Sequence, residues 1–264
     1  MSKHLFIIAI PGTGVKKAGF SKGLQKELIK QLKYTKLKNN YSVIECRPFN
    51  ETGIDQNQKE LFERMNASNR LGGILSFRKT VLHVVGDAVL FERNPSKANS
   101  AYQTIHRCLR DRFEEVNQLM QKYQESILVI VAGSIGVHVL SCYIWDADHS
   151  LGIFSKTPST DQNNLRNLAH LSTFGCNIPI YVSALKVYSI KAFDRRNANF
   201  SWDNYYDKDD VLGWPLQALS PIYNNLVRDH EINTGVYIGS HIRYWDDKGF
   251  VKQLAEKLAE MFNQ

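Results

Sequence analysis

Short apolar runs alternate along the chain with longer stretches in which apolar residues recur every third or fourth position. The first run covers 5–10 and closes in Pro11-Gly12-Thr13-Gly14. Behind it Leu24, Leu28 and Leu32 lie four apart, with Lys22, Lys26, Lys30 and Lys33 on the opposite side, the spacing of a helix with one dry and one wet face. Further runs at 41–46, 80–85, 126–132, 178–184 and 199–206 predict strands, and the stretches 100–123, 137–145 and the one beginning at Gly249 predict helices. The run at 126–132 is rich in β-branched residues and apolar from Ile127 onward, as a strand covered on both faces must be. Strands alternating with helices in this way predict an α/β fold with a mainly parallel central sheet and helices on both faces.

With 264 residues, 43% of them hydrophobic, the chain can bury a large core. No composition shift marks a boundary, so the reading is one domain over 1–264, with lid or rim insertions near 86–100 and 150–170. Pro95 and Pro158 stand in polar segments there, at 94–100 and 155–164, which read as surface loops.

Charge and cysteine usage narrow the class. The formal charge is +7, and nine lysines against Glu27 alone fall in residues 1–40. Four of them, Lys22, Lys26, Lys30 and Lys33, lie on a solvated helix face, and no interleaved aromatics or nucleic-acid motif accompanies the lysines, which speaks against nucleic acid and leaves only contact with an acidic membrane surface open. Cys46, Cys108, Cys142 and Cys176 stand singly, with no C-x-x-C pair, and no apolar run reaches membrane-spanning or signal-peptide length. A cytoplasmic protein in a reducing compartment is the expectation.

The chemistry concentrates where the best strand breaks. Ala132-Gly133-Ser134-Ile135-Gly136 lies between strand and helix, the setting of a nucleophile elbow, where a serine sits in a strained turn and small neighbours let the two backbones approach. The helix that follows offers unpaired N–H groups to an oxyanion, and that of Ile135 is the nearest. An activated serine needs a base and an acid. His138, His149 and His170 are too near the elbow and its following loop, and His230 falls in a helix-like stretch. His241, after Gly239-Ser240 and before the last helix, is the candidate base. Asp207, Asp209 and Asp210 follow the 199–206 strand, at the strand end where active sites of open α/β sheets collect. No cofactor or metal is expected: Gly-x-Gly-x-x-Gly fails at Lys17, no Gly-Lys-Ser/Thr follows, and no His/Asp spacing suits a metal ion.

With these residues in place the chain resembles the α/β-hydrolase superfamily, and within it bacterial lipase- and esterase-like serine hydrolases. The likeness is carried by IPGTGV at 10–15, VGDAVLFERN at 85–94, VIVAGSIGVHVLSCYIWD at 129–146, NYYDKDDVLGWPL at 204–216 and GSHIRYWDD at 239–247. Ala132, Gly133 and Ile135 stand where such elbows commonly carry Gly, His and Leu. The resemblance implies a Ser-Asp-His triad of Ser134, Asp210 and His241, with Asp209 as the alternative acid. It also implies an oxyanion hole completed by a donor from the first strand's loop, read as the Thr13 N–H. The implied substrate is a small-molecule or lipid ester. Thioesterase, peptidase or acyltransferase chemistry on the same residues is the alternative, as is a hydrolase-like binding protein without turnover.

Overall fold

The computed structural model describes residues 3–12, 17–67, 82–83, 85–87, 89, 91, 94–157, 159–160, 163–235, 241 and 243–264. Six strands form its sheet: β1 Lys3–Ile10, β2 Tyr41–Glu45, β3 Glu125–Gly133, β4 Leu168–Phe174, β5 Ser201–Tyr206 and β6 Val227–Glu231. Their order is β2-β1-β3-β4-β5-β6, and every adjacent pair is parallel. The long helices are α1 Lys22–Gln31, α2 Ile54–Ala67, α3 Ala101–Met120, α4 Ile135–Asp148 and α5 Lys248–Asn263.

The two-residue period of a strand assigns each side chain to a face. Leu5, Ile7 and Ala9 of β1 join Val129 and Val131 of β3 in a core closed by Leu24 and Leu28 of α1 and Phe250, Leu254 and Leu258 of α5. The intervening Phe6, Ile8 and Ile10, with Leu128 and Ile130, meet Leu109 and Phe113 of α3 and Val139 and Tyr143 of α4 on the other face. Truncating such a fully buried leucine to alanine costs about 2–5 kcal/mol. Capping fixes where helices start: Ser100 Oγ accepts the Gln103 N–H at 3.2 Å ahead of α3, and Asp247 Oδ1 accepts the Phe250 N–H at 2.7 Å ahead of α5. This is the α/β fold with a parallel central sheet and helices on both faces expected from the alternating pattern. The lysines of α1 point outward, all four cysteines are free, and among the described residues no helix is long and apolar enough to cross a membrane.

Two strand expectations are corrected, and two strands were not expected. The 178–184 run is not a strand, since Ile178–Val182 forms a short helical turn with Pro179 in its first turn, and its apolar side chains face a cavity instead of a sheet. In the 80–85 run Leu82, His83 and Val85 are helical, and the remaining positions lie outside the described residues. A short apolar run has no period by which to tell strand from buried helix. Conversely, β4 and β6 were not anticipated as strands. His170 and His230, set aside as loop and helix histidines, are strand residues, and both face Asp203 of β5, His230 Nε2 at 3.0 Å and His170 Nε2 at 3.9 Å. Helix α2, unassigned by the pattern, leaves Leu61 and Met65 exposed.

Candidate active site

Ser134 occupies the single position between β3 and α4, with φ 53° and ψ −131°. A non-glycine residue there stores on the order of 1–3 kcal/mol of backbone strain. The surroundings hold it: its N–H donates to the Phe174 carbonyl at 3.0 Å and its carbonyl accepts the Val137 N–H at 3.1 Å. Close approach explains the small neighbours. A Cβ on Gly133 would lie 2.3 Å from Cε2 of Phe174, so the glycine seats the aromatic ring that supports the turn. A Cβ on Gly136 would lie 2.5 Å from the Pro11 carbonyl oxygen, and one on Gly12 would lie 2.4 Å from Cβ of Ser134 itself.

The sequence separates Ser134, Asp210 and His241, and the fold brings them into one hydrogen-bonded chain. His241 Nε2 stands 2.9 Å from Ser134 Oγ, while Nδ1 stands 2.8 Å from Oδ2 and 3.1 Å from Oδ1 of Asp210. An ionised carboxylate only accepts, so Nδ1 carries the proton and Nε2 is left to accept from the serine hydroxyl. Asp210 is buried, and its Oδ1 also accepts the Leu212 N–H at 3.0 Å. The neighbouring Asp209 is exposed, and its N–H donates to Oδ1 of Asp207 at 2.9 Å.

Sequence reasoning missed one supporting residue, Tyr244, and left the role of Asp207 open. Tyr244 donates its hydroxyl to Oδ2 of Asp210 at 3.1 Å and accepts the Asp207 N–H at 2.9 Å. Burial, and then the Asp210 charge, push its phenol well above the usual value, so it remains a donor at every working pH. Asp207 is not a partner of the imidazole. Its Oδ2 accepts the Thr234 N–H at 2.6 Å and hydroxyl at 3.0 Å, tying the loop after β5 to the segment after β6. Burial raises its pKa, but these donors and the Asp209 and Gly235 N–H groups outweigh that and hold it below the ordinary aspartate value. The only sequence signal was the cluster of three aspartates at a strand end.

Ile135 opens α4, where a backbone N–H has no acceptor in its own helix, so it is free for an oxyanion beside Ser134. Thr13 lies outside the described residues. A cavity of about 680 Å³ flanks α4 and the turn at 178–182, and Val89 and Phe91 from the 86–100 segment line it, while no described residue of 150–170 does. Among the described residues no group of three or more His, Cys, Asp or Glu is placed to hold a metal ion.

No family model and no curated protein sequence matches the chain. Solved structures resemble it in outline. A cutinase-like protein from Cryptococcus sp. covers 98% of this chain and 94% of its own at 9% identity, with a TM-score of 0.41. A thioesterase of the prodiginine biosynthetic pathway in Streptomyces coelicolor covers 97% and 85% at 9% identity and TM-score 0.41. Carboxyl esterase 2 from Tuber melanosporum covers 97% and 77% at 8% identity and TM-score 0.43.

Proposed function

We propose that the protein is a serine hydrolase that cleaves carboxylic esters through an acyl-enzyme. The reading is carried by one observation, the continuous chain from the buried Asp210 carboxylate through both nitrogens of His241 to the Ser134 hydroxyl, ending at a helix N-terminus.

In this reading Ser134 Oγ attacks the ester carbonyl while His241 Nε2 takes its proton, and Asp210 stabilises the imidazolium that results. The carbonyl oxygen gains negative charge beside the Ile135 N–H, with the Thr13 N–H as the proposed second donor. Collapse breaks the carbon–oxygen bond to the alcohol, and His241 returns the proton to the departing alkoxide. Water, deprotonated by the same nitrogen, then releases the acid and restores the Ser134 hydroxyl. The strained turn at Ser134 holds Oγ in place for attack, so that little reorganisation is needed at the moment of reaction.

A small fluorophosphonate probe tests this reading. Wild type is expected to label rapidly on a single site and to hydrolyse p-nitrophenyl esters, and Ser134→Ala is expected to lose both while keeping its circular dichroism. Slow, non-saturating labelling of the wild type, or undiminished labelling of the variant, would sink the nucleophile assignment.

A further inference from the structure

The cavity beside α4 has a definite relation to the reacting serine. His138, Cys142 and Trp145 of α4 form one wall, and Ile178 and Tyr181 face them. His138 is one helical turn beyond Ser134, about 6 Å of rise, and its ring lies flat on Tyr181 with centroids 3.9 Å apart and planes 5° apart. The cavity wall therefore begins one turn from the nucleophile.

The cavity belongs to the α3 and α4 face of the sheet. Tyr244, which holds Asp210, belongs to the apolar core on the α1 and α5 face, whereas the cavity residues Cys142, Ile178 and Tyr223 belong to the core on the opposite face. Asp210, and the imidazole it holds, are thus tied through Tyr244 to one face, and the cavity lies with the core of the other. An alkoxide that receives its proton from His241 must leave on the imidazole side. The other substituent of the carbonyl carbon then points away from His241, along α4.

Resting on the serine-hydrolase reading, we infer that this cavity takes the acyl chain, and that the substrate class is esters of long, unbranched hydrophobic acids. A volume of about 680 Å³ lies well inside the range of small-molecule sites, roughly 300–1,000 Å³, and greatly exceeds what an acetyl group fills. The lining is aliphatic and aromatic, with Ser141, Ser189 and Lys191 among its few polar members. At the mouth Ile180 and Leu185 are 46% and 51% exposed, so a chain longer than the cavity continues over an apolar rim.

The test is a series of p-nitrophenyl esters from acetate to laurate on the purified protein, run beside fluorophosphonate labelling. Burial of each added methylene is worth up to about fourfold in kcat/KM until the cavity is full. Decanoate is therefore expected to exceed butyrate by at least about tenfold. Cys142→Trp fills the inner wall, and Leu185→Asp, at an exposed position that folding tolerates, charges the mouth. Each is expected to lower the decanoate-to-butyrate ratio at least about fivefold. A ratio unchanged in both variants, or a flat chain-length profile in a protein that labels normally, overturns the acyl assignment and leaves the serine reading standing. Acetate esters whose rates rise with the length of the alcohol instead would assign the cavity to the leaving group. A wild type that neither labels nor turns over overturns both.

Discussion

The Tyr244 hydroxyl donates to the same oxygen of Asp210 that His241 Nδ1 approaches, at 3.1 Å and 2.8 Å respectively. The carboxylate is thus fixed by a phenol as well as by the Leu212 N–H, and the imidazole inherits that orientation. Tyr244→Phe removes the donor and keeps the ring that stacks on Phe174 with centroids 5.1 Å apart. We expect kcat to fall about threefold to tenfold with KM nearly unchanged, the size of one modest hydrogen-bond contribution. Tyr244 acts here by positioning, so a steady-state comparison in which KM alone moved would contradict it.

The two adjacent aspartates make opposite predictions. Asp210 is buried against His241, and Asp209 is exposed. Asp210→Asn should lower kcat by about 10²–10⁴ through the wrong imidazole tautomer, and Asp209→Asn by less than about tenfold. Ester hydrolysis by both variants decides it; equal losses would show that neither carboxylate orients the histidine.

Gly12 abuts the reacting side chain. A Cβ there would stand 2.4 Å from Cβ and 3.0 Å from Oγ of Ser134, distances at which something must move. Gly12→Ala is expected to slow fluorophosphonate labelling by at least about tenfold and to lower stability by about 1–3 kcal/mol. Full labelling speed would mean that the first-strand loop is not held against the nucleophile.

His170 provides a pH test of the fold away from the site. Burial depresses its pKa from 6.5 to about 4, against the opposing pull of Asp203. The unfolded chain therefore binds a proton that the folded chain refuses between about pH 4 and 6.5. Stability from this group is complete above pH 6.5 and is lost as pH falls toward 4, on the order of 3 kcal/mol. Urea unfolding of His170→Gln should show a shallower decline over that window than wild type. Parallel declines would refute the assignment.

Much of this site was legible in the sequence because its nucleophile lies where two periods meet. The apolar run of β3 stops at Gly133 and helical spacing starts at Ile135, so Ser134 is exposed by the pattern itself. Strands β4 and β6 were hidden because their polar residues are satisfied by partners on a neighbouring strand: Thr173 donates to Asn204 at 2.9 Å, and Asn204 to Asp229 at 2.8 Å. No local pattern records such pairs. The role of Tyr244 was equally hidden, since it arises only where the segments at 207, 210 and 244 converge. The 178–184 run misled because an apolar run lining a cavity has the composition of one lining a sheet.

His241 and Ser134 are 107 residues apart in the chain, and Asp210 and His241 are 31 apart. His241 precedes a short helical turn at Tyr244–Asp246 that leads into α5, whose docking against α1 completes one apolar face of the sheet. Contacts of such long separation close late, because the entropy of loop closure must be met before they reward the chain. A folding chain can thus carry a finished β3–α4 turn and still lack the Ser134–His241 hydrogen bond until α5 has packed. Reactivity toward a fluorophosphonate during refolding is accordingly a clock for the final step of assembly, and it should lag behind the recovery of secondary structure.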